Sequence, residues 1–300
     1  MTEQSGPFVI TGAAGNLGGL VLDKLIEAGA GPRIATSRSP EKLAEVGAKG
    51  VEVRAADFND PATLGPAFKG AKRLLIVSTD DLEPGKRLTA HANAINAAVD
   101  AGIEHIVYTS LTNPVDASPI TFSGDHKETE EMLAKCSISH TILRNNLYTD
   151  LLLMSAPQSI AMGKHFTATS TGKTGYVTRD DCASAAAAAL MNESDTRTFE
   201  ITGPDTVTHD QIAKYLSDIT GQPIPHIAIS GDDLKGAMVA NGLPEFMAEV
   251  FASFDVAVAE GYLDVASGSL KDLTGQPGTS VNQFLKDNKA ALTAPQGQEI

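Results

Sequence analysis

The sequence predicts an α/β protein built on a doubly wound parallel sheet, with a second, smaller α/β domain toward its C-terminus. Three observations support this fold class. Short apolar segments alternate with helical segments through the first half of the chain. The helical segments repeat Leu and Ala at i, i+3 and i+4, whereas the apolar segments are short and bounded by turn residues. After Tyr148 this alternation stops, and a Gly/Ser/Thr-rich segment follows.

The elements of the first half are short strands, each followed by a helix. The predicted strands are 8–11, 33–37, 51–56, 73–78, 105–110 and 140–145. The predicted helices are 16–28, 40–46, 60–69, 85–101 and 124–135. Strands that are apolar on both faces are typical of a parallel sheet with helices on both sides.

The second half is less regular but contains clear helices. We predict helices at 150–161, 180–191, 231–240, 244–258 and 279–290, and a strand at 198–202. Thr208 and Gln211 have the spacing of a capping box, which predicts a further helix. Residues 1–150 are therefore expected to form the large domain, with 175–203 returning to it, and 151–300 the smaller one.

Composition limits the partners of the chain. With 300 residues, 42% of them apolar, it can bury a sizeable core. A net charge of −14 disfavours nucleic acid, and the longest apolar runs are too short for a bilayer. The N-terminus lacks the pattern of a secretory signal, so we expect a cytoplasmic protein without nucleic-acid or membrane partners. Cys136 and Cys182 form no CxxC pair and are expected to be reduced core residues.

A glycine-rich turn joins the first predicted strand to the first helix. Gly12, Gly15 and Gly18 are spaced GxxGxxG, with Asn16 and Leu17 between the last two. Glycines here permit a tight turn and close approach of a pyrophosphate, which the free N–H groups of the helix then bind. An empty turn is the alternative. Because the turn lies in the first of several βα units, the sequence predicts a Rossmann-type dinucleotide site.

The end of the second strand indicates which dinucleotide is bound. An NAD site usually carries Asp or Glu here to accept from the ribose 2′-hydroxyl. This chain carries Ser37 and Arg38, which can hold a 2′-phosphate that a carboxylate would repel. NADPH is therefore the expected cofactor, although Arg38 could instead solvate or cap the next helix.

Residues after strands three and four also lie at the edge where ligands bind such sheets. Asp57 and Phe58 could reach the adenine, or Asp57 could be an ordinary turn residue. Ser78 and Thr79 could contact the cofactor ribose or close a turn. The sequence does not decide between these roles.

Several motifs of other activities are absent. Ketone-reducing short-chain dehydrogenases commonly carry Tyr-x-x-x-Lys, but no tyrosine here has a lysine four residues later. An acceptor that forms no strongly basic oxyanion, such as a quinone or a cationic dye, has less need of that acid. The histidines form no HxxH or HxxxH pair, so no metal site is expected.

Several spaced segments together resemble a known family. They are "TGAAGNLG", "SRSPEKL", "AADFND", "YTSL", "DHKETEEMLAKCSISHTILRNNLYTDL" and "YVTRDDCASAAAAAL". In this order they resemble the NmrA-like branch of atypical short-chain dehydrogenases, and within it the quinone reductase and triphenylmethane reductase types. The resemblance covers nearly the whole chain. It implies an NADPH-binding large domain, a small C-terminal domain and a substrate cleft between them, without metal or flavin.

The resemblance also implies roles for particular residues. It assigns the glycine turn to the pyrophosphate, Arg38 to the 2′-phosphate, and Ser78 and Thr79 to the cofactor. "LRNNLY" matches a segment that commonly reads LRNGWY, which implies that four of its residues border the nicotinamide and the substrate. They are Arg144, Asn145, Asn146 and Tyr148. Asn146 in place of Gly and Leu147 in place of Trp leave the substrate open.

His126 occupies the position at which the family keeps a helix-borne histidine. It could polarise the substrate or donate a proton, or it could be a structural histidine. Lys127 is compared with the catalytic lysine of isoflavone-reductase-like relatives, but the spacing favours His126 as the inward residue. His126, Asn145 and Tyr148 are therefore the predicted catalytic residues.

The expected function is an enzyme of the NAD(P)H:quinone oxidoreductase type that transfers hydride to a small electrophilic aromatic acceptor. One alternative is an NmrA-like redox sensor that binds NADP and a partner protein without turnover. Another is a reductase of a dye, an imine or a ketone. A homodimer is an open possibility for its assembly.

Overall fold

A computed structural model describes residues 6–83 and 85–294 of the chain. Its main sheet has seven strands. They are β1 (Phe8–Ile10), β2 (Arg33–Ser37), β3 (Glu52–Ala55), β4 (Arg73–Ile76), β5 (His105–Leu111), β6 (Ser139–Asn145) and β9 (Arg197–Ile201). The helices associated with this sheet are α1 (Asn16–Glu27), α2 (Ala44–Ala48), α3 (Pro61–Phe68), α4 (Lys86–Asp100), α5 (Ser123–Lys135), α7 (Arg179–Asn192) and α11 (Ser269–Thr274).

The order of the strands defines where a ligand can bind. The order is β3-β2-β1-β4-β5-β6-β9, and every neighbouring pair is parallel. From β1 the chain winds outward to β3, then crosses to β4 on the other side. The order therefore reverses between β1 and β4, and ligands of such sheets bind in the crevice at the carboxyl ends of these strands.

Helices cover both faces of the sheet. On one face α1 packs against α7, and their apolar residues form one core cluster with those of the strands. The buried residues of α7 are mostly alanines, whose small side chains let this helix pack closely under the sheet. On the other face, α3, α4 and α5 form a second cluster around Phe68, Ile95, Tyr108 and Leu133. Strands buried on both faces account for their continuous apolar sequences.

The C-terminal part surrounds a third apolar cluster. Its strands are β7 (His165–Thr167), β8 (Lys173–Thr174), β10 (Val207–Thr208) and β11 (His226–Ala228). They form two small sheets, one antiparallel (β8 with β10) and one parallel (β7 with β11). The helices are α6 (Leu152–Met162), α8 (His209–Thr220), α9 (Gly231–Ala240), α10 (Glu245–Ala259), α12 (Val281–Asp287) and α13 (Lys289–Leu292).

Buried histidines connect the elements of this C-terminal part. Ser159 Oγ donates to Ser155 O, so it accepts from His165 Nδ1 at 2.9 Å. His165 Nε2 then accepts from His209 Nδ1 at 2.8 Å, and His209 Nε2 accepts from Tyr176 at 3.2 Å. This assignment requires both rings to be neutral. Burial, followed by the charge of a neighbouring histidine, lowers the pKa of His165 to about 4.

The predicted fold class is confirmed, and the six strands and four of the five helices of the first half are found within a few residues of the predicted bounds. The strand predicted at 198–202 is β9, and it pairs with β6 as expected for a return to the main sheet. The capping box of Thr208 and Gln211 is present. The division into two domains stays a prediction. No helix in the described residues is long and apolar enough to cross a membrane.

Three predicted helices differ from the structure. The helix predicted at 40–46 is a 3₁₀ turn, Pro40–Leu43, followed by α2. The helix predicted at 150–161 begins with a 3₁₀ turn, Thr149–Leu151, before α6. The helix predicted at 279–290 is divided into α12 and α13 at Asn288, whose side chain donates to Phe284 O and whose backbone leaves helical geometry. Helix α11 was not predicted.

Candidate functional site

A cleft of about 410 Å³ lies at the carboxyl ends of β1 to β4, where the strand order reverses. Eleven of the predicted cofactor residues line it, and they come from the ends of four strands. They are Gly12, Gly15, Asn16, Leu17, Gly18, Ser37, Arg38, Asp57, Phe58, Ser78 and Thr79. The fold therefore brings together the residues that sequence patterns had identified separately.

The glycine turn forms the floor of the cleft. Gly12 has a φ of +60°, and Gly15 N–H donates to Gly12 O at 2.8 Å, which closes a tight turn. A Cβ on Gly18 would lie 2.4 Å from Gly12 O, so only glycine fits there. Gly15 caps α1 without any side-chain hydrogen bond. The N–H groups at the start of α1 are thus left for an anion, which suits a pyrophosphate.

Two cations lie beside the second strand of the cleft. Arg38 follows β2 directly, and Lys42 lines the cleft four residues later. The Arg38 side chain is 62% exposed, so its guanidinium is accessible to a ligand. The positions of both residues fit a 2′-phosphate group. Lys42 was not predicted.

The predicted adenine contacts also take part in the turn after β3. Asp57 Oδ1 accepts from Asn59 N–H at 2.9 Å, so this carboxylate stabilises its own turn. The Phe58 carbonyl accepts from Asn93 Nδ2 at 2.9 Å, and its ring packs against the second core cluster. Both predicted roles of Asp57, turn residue and cleft lining, are compatible with this geometry.

The segment after β4 is held by side chains beneath it. Val77 N–H donates to Thr11 Oγ1 at 3.0 Å, and Ser78 N–H donates to Thr109 Oγ1 at 2.9 Å. Thr79 N–H donates to His91 Nε2 at 3.1 Å. Three successive backbone N–H groups are therefore committed to the protein, and these three residues line the cleft.

His91 is a residue that the sequence analysis missed. Its Nε2 accepts from Thr79, so its Nδ1 carries the proton and donates to Thr129 Oγ1 at 2.9 Å. Thr129 in turn donates to Asp125 O. Burial, with the nearby charge of Arg87, lowers the pKa of His91 to about 3. This neutral histidine connects the cleft edge to α5, and a single helical histidine carries no sequence signal for that role.

The predicted catalytic residues fall into two groups. Asn145 Nδ2 lies 3.5 Å from the Tyr148 hydroxyl, and the Arg179 guanidinium lies 4.9 Å from the centre of the Tyr148 ring. Burial raises the pKa of Tyr148, so the phenol remains protonated. Asn145 is 4% exposed, and its Oδ1 has no partner among the described residues. A buried acceptor of this kind is available to a ligand N–H.

His126 belongs to the second group, on the face of the sheet that α4 and α5 cover. Its Nδ1 lies 2.8 Å from the Tyr108 hydroxyl, and its ring contacts that of Phe122. Burial, followed by the charge of Arg87, holds the pKa of His126 well below its usual value. His126 is therefore neutral near pH 7 and can donate a hydrogen bond but is a poor source of a full proton.

The remaining predicted residues of β6 and its extension make protein contacts. Arg144, on β6, pairs with Glu130 of α5 at 2.6 Å and with Glu200 of the neighbouring strand β9 at 3.2 Å. Asn146 is 2% exposed; its Oδ1 accepts from the next backbone N–H and its Nδ2 donates to Leu263 O at 3.2 Å. None of the predicted residues Arg144, Asn145, Asn146, Tyr148 and His126 lines the cleft described above. Their predicted contacts with nicotinamide or substrate stay predictions.

No group of three or more His, Cys, Asp or Glu within residues 6–83 and 85–294 is arranged to hold a metal ion. Lys127, the weaker alternative to His126, pairs with Asp116 at the surface. Both cysteines are free, with Cys182 buried and Cys136 half-buried.

The doubly wound sheet, the uncapped helix start and the glycine cradle define a dinucleotide-binding protein. The chain belongs to the NmrA-like family, whose model matches residues 5–288. It is 36% identical to quinone oxidoreductase 2 of Escherichia coli strain K12 over 276 residues, which cover 91% of this chain and 96% of that protein.

Solved structures agree with this membership. The NADPH-dependent quinone oxidoreductase of Escherichia coli in complex with NADPH has a TM-score of 0.88 and 35% identity, and the match covers 94% of this chain and 99% of that one. The Citrobacter sp. triphenylmethane reductase complexed with NADP(H) has a TM-score of 0.89 and 33% identity, with the same coverage. The resemblance recognised in the sequence is confirmed.

Proposed function

We propose that this protein is an NADPH-dependent oxidoreductase that transfers hydride directly to a quinone or a similar electrophilic aromatic acceptor. The observation that carries the proposal is the cleft, in which the glycine cradle and Arg38 lie at the switch point of the sheet. Two similar proteins, one named as a quinone oxidoreductase and one as a triphenylmethane reductase, support the choice of acceptor.

In this proposal the glycine turn and the start of α1 bind the pyrophosphate, and Arg38 with Lys42 binds the 2′-phosphate. The bound cofactor supplies the hydride. Asn145 orients the reacting end through its free Oδ1, and the protonated Tyr148 donates a hydrogen bond to the acceptor oxygen as electrons arrive. The protein thus positions the reactants.

Neutral hydrogen-bond donors are sufficient for this chemistry. Hydride addition to a quinone gives the hydroquinone anion, which is a delocalised phenolate, and a proton from water completes the reduction. The anion is weakly basic, so no lysine-assisted tyrosine acid is required. In this proposal the Tyr108 hydroxyl donates to Nδ1 of the neutral His126, and His126 Nε2–H donates a hydrogen bond that stabilises this charge.

The test mixes the purified protein with NADPH and a panel of benzoquinones and naphthoquinones and follows the nicotinamide absorbance. We expect cofactor oxidation that depends on both enzyme and quinone. The Lys214→Ala variant, which alters an exposed ion pair whose residues do not line the cleft, is the matched control and should keep full activity. Binding of NADPH without turnover on any quinone would contradict the proposal and favour the redox-sensor alternative. Turnover on dyes, imines or ketones alone would reassign the acceptor.

A further inference from the structure

An ion pair spans the predicted cofactor cleft. Arg38 Nη2 lies 3.5 Å from Asp80 Oδ1, and both residues line the cleft. Arg38 follows β2 and Asp80 lies on the segment after β4, and these strands are the two neighbours of β1. The pair therefore crosses the end of β1. It engages the same guanidinium that is proposed to hold the 2′-phosphate.

The position of Asp80 is set by the fold rather than by its own side chain. The three residues before it are anchored through their N–H groups to Thr11, Thr109 and His91. All three of these anchoring residues are buried. Asp80 itself is 83% exposed, so it can lose its partner without leaving a buried charge.

The charges that line the cleft are balanced. Its ionisable lining residues are two cations, Arg38 and Lys42, and two carboxylates, Asp57 and Asp80. Asp57 also accepts a hydrogen bond within its own turn, whereas Asp80 faces the guanidinium across the cleft. A 2′-phosphate on Arg38 competes with the Asp80 carboxylate for the guanidinium and lies near a like charge. A 2′-hydroxyl meets neither the competition nor the repulsion.

We propose that Asp80 is a specificity-determining residue that lowers the preference of this protein for NADPH over NADH. It competes with the 2′-phosphate for Arg38 and leaves the binding of the unphosphorylated cofactor nearly unaffected. The inference rests on the proposed function for the identity of the cofactor, but not for the identity of the acceptor.

The test measures the dissociation constants of NADPH and NADH by calorimetry, without any acceptor, for the unsubstituted protein and for Asp80→Asn. Asp80→Asn removes both the ion pair with Arg38 and the repulsion between Asp80 and the 2′-phosphate. Because these groups are exposed to solvent, the effect is modest, and NADPH should bind about three- to tenfold more tightly. NADH binding should change by less than about twofold, and the NADPH effect should shrink at high salt. Asp81→Asn is the matched control: it removes the neighbouring charge, which does not pair with Arg38, and should leave the ratio unchanged.

An unchanged or reduced NADPH to NADH affinity ratio in Asp80→Asn would overturn the inference and leave the proposed function standing. Failure of the unsubstituted protein to bind either nucleotide would overturn both. The double variant Arg38→Ala/Asp80→Asn, compared with Arg38→Ala alone, separates competition for Arg38 from repulsion of the 2′-phosphate. In the Arg38→Ala background the Asp80 substitution should tighten NADPH binding by less than about twofold. An undiminished gain in that background would refute the competition for Arg38.

Discussion

Replacement of Gly18 by alanine tests the geometry of the cofactor turn directly. A Cβ at this position would lie 2.4 Å from Gly12 O and 2.8 Å from Thr11 O. Both oxygens belong to the backbone at the end of β1, so no flexible side chain can move aside. The turn or the first turn of α1 must shift instead.

The size of the effect follows from that overlap. Overpacking against rigid atoms typically costs about 1–3 kcal/mol, and a backbone contact of this kind should be near the upper end. For a chain of 300 residues the melting temperature should fall by about 4–5 °C. The same shift displaces the N–H groups at the start of α1. Loss of one charge-assisted hydrogen bond to the pyrophosphate should weaken NADPH binding by about ten- to a hundredfold.

Gly236→Ala is the matched control. Gly236 lies within α9, and a Cβ there would meet nothing within 4 Å. Alanine should therefore stabilise the protein by about 0.5–1 kcal/mol and leave the cofactor affinity unchanged. Thermal unfolding and calorimetric titration with NADPH measure both quantities. If Gly18→Ala binds NADPH as tightly as the unsubstituted protein, the glycine turn does not hold the pyrophosphate and our assignment of the site is wrong.

Three further predictions concern other groups. Arg144→Met leaves the Glu130 carboxylate, whose side chain is 11% exposed, without its cation. The free energy of unfolding, measured by urea titration, should therefore fall by about 2–3 kcal/mol. An unchanged free energy of unfolding would show that this ion pair does not hold α5 on the sheet. His165 is neutral in the folded state, with a pKa of about 4, but binds a proton below about 6.5 when unfolded. This difference in pKa should lower the free energy of unfolding by about 2 kcal/mol as the pH falls from 7.5 to 5. The free energy of unfolding of His165→Asn should fall less over the same range. An equal fall in the two proteins would contradict a neutral His165 in the folded state. Tyr148→Phe should reduce kcat for quinones at least about tenfold without changing the NADPH dissociation constant, and an unchanged kcat would remove Tyr148 from the mechanism.

The fold and the nucleotide cleft were predictable because local sequence patterns determine them. The strands of a parallel sheet are continuous apolar segments, and their carboxyl ends meet at one edge, so the residues after each strand were expected to converge. Gly18 and Arg38 have local signals, namely a glycine spacing and a charge at the end of β2. These residues do lie in one cleft.

Residues that act across the fold were not predictable in the same way. Asp80 was missed because its role depends on an ion pair with Arg38, which is 42 positions earlier in the chain. His91 was missed because its role depends on a hydrogen bond from the Thr79 backbone N–H. A charge in a loop and a histidine in a helix are ordinary features of a sequence. The division of the last helix at Asn288 also depends on local backbone geometry that apolar periodicity does not reveal.

The anchored segment Val77 to Thr79 has a consequence for how a nucleotide enters the cleft. Its amide hydrogens are already bonded to side chains that hold them from below, so this rim of the cleft is organised before any ligand arrives. Association should then require little ordering of the chain at this edge, and its entropic cost should be correspondingly small. Amide exchange at these three positions should be slow in the free protein and change little when the nucleotide binds.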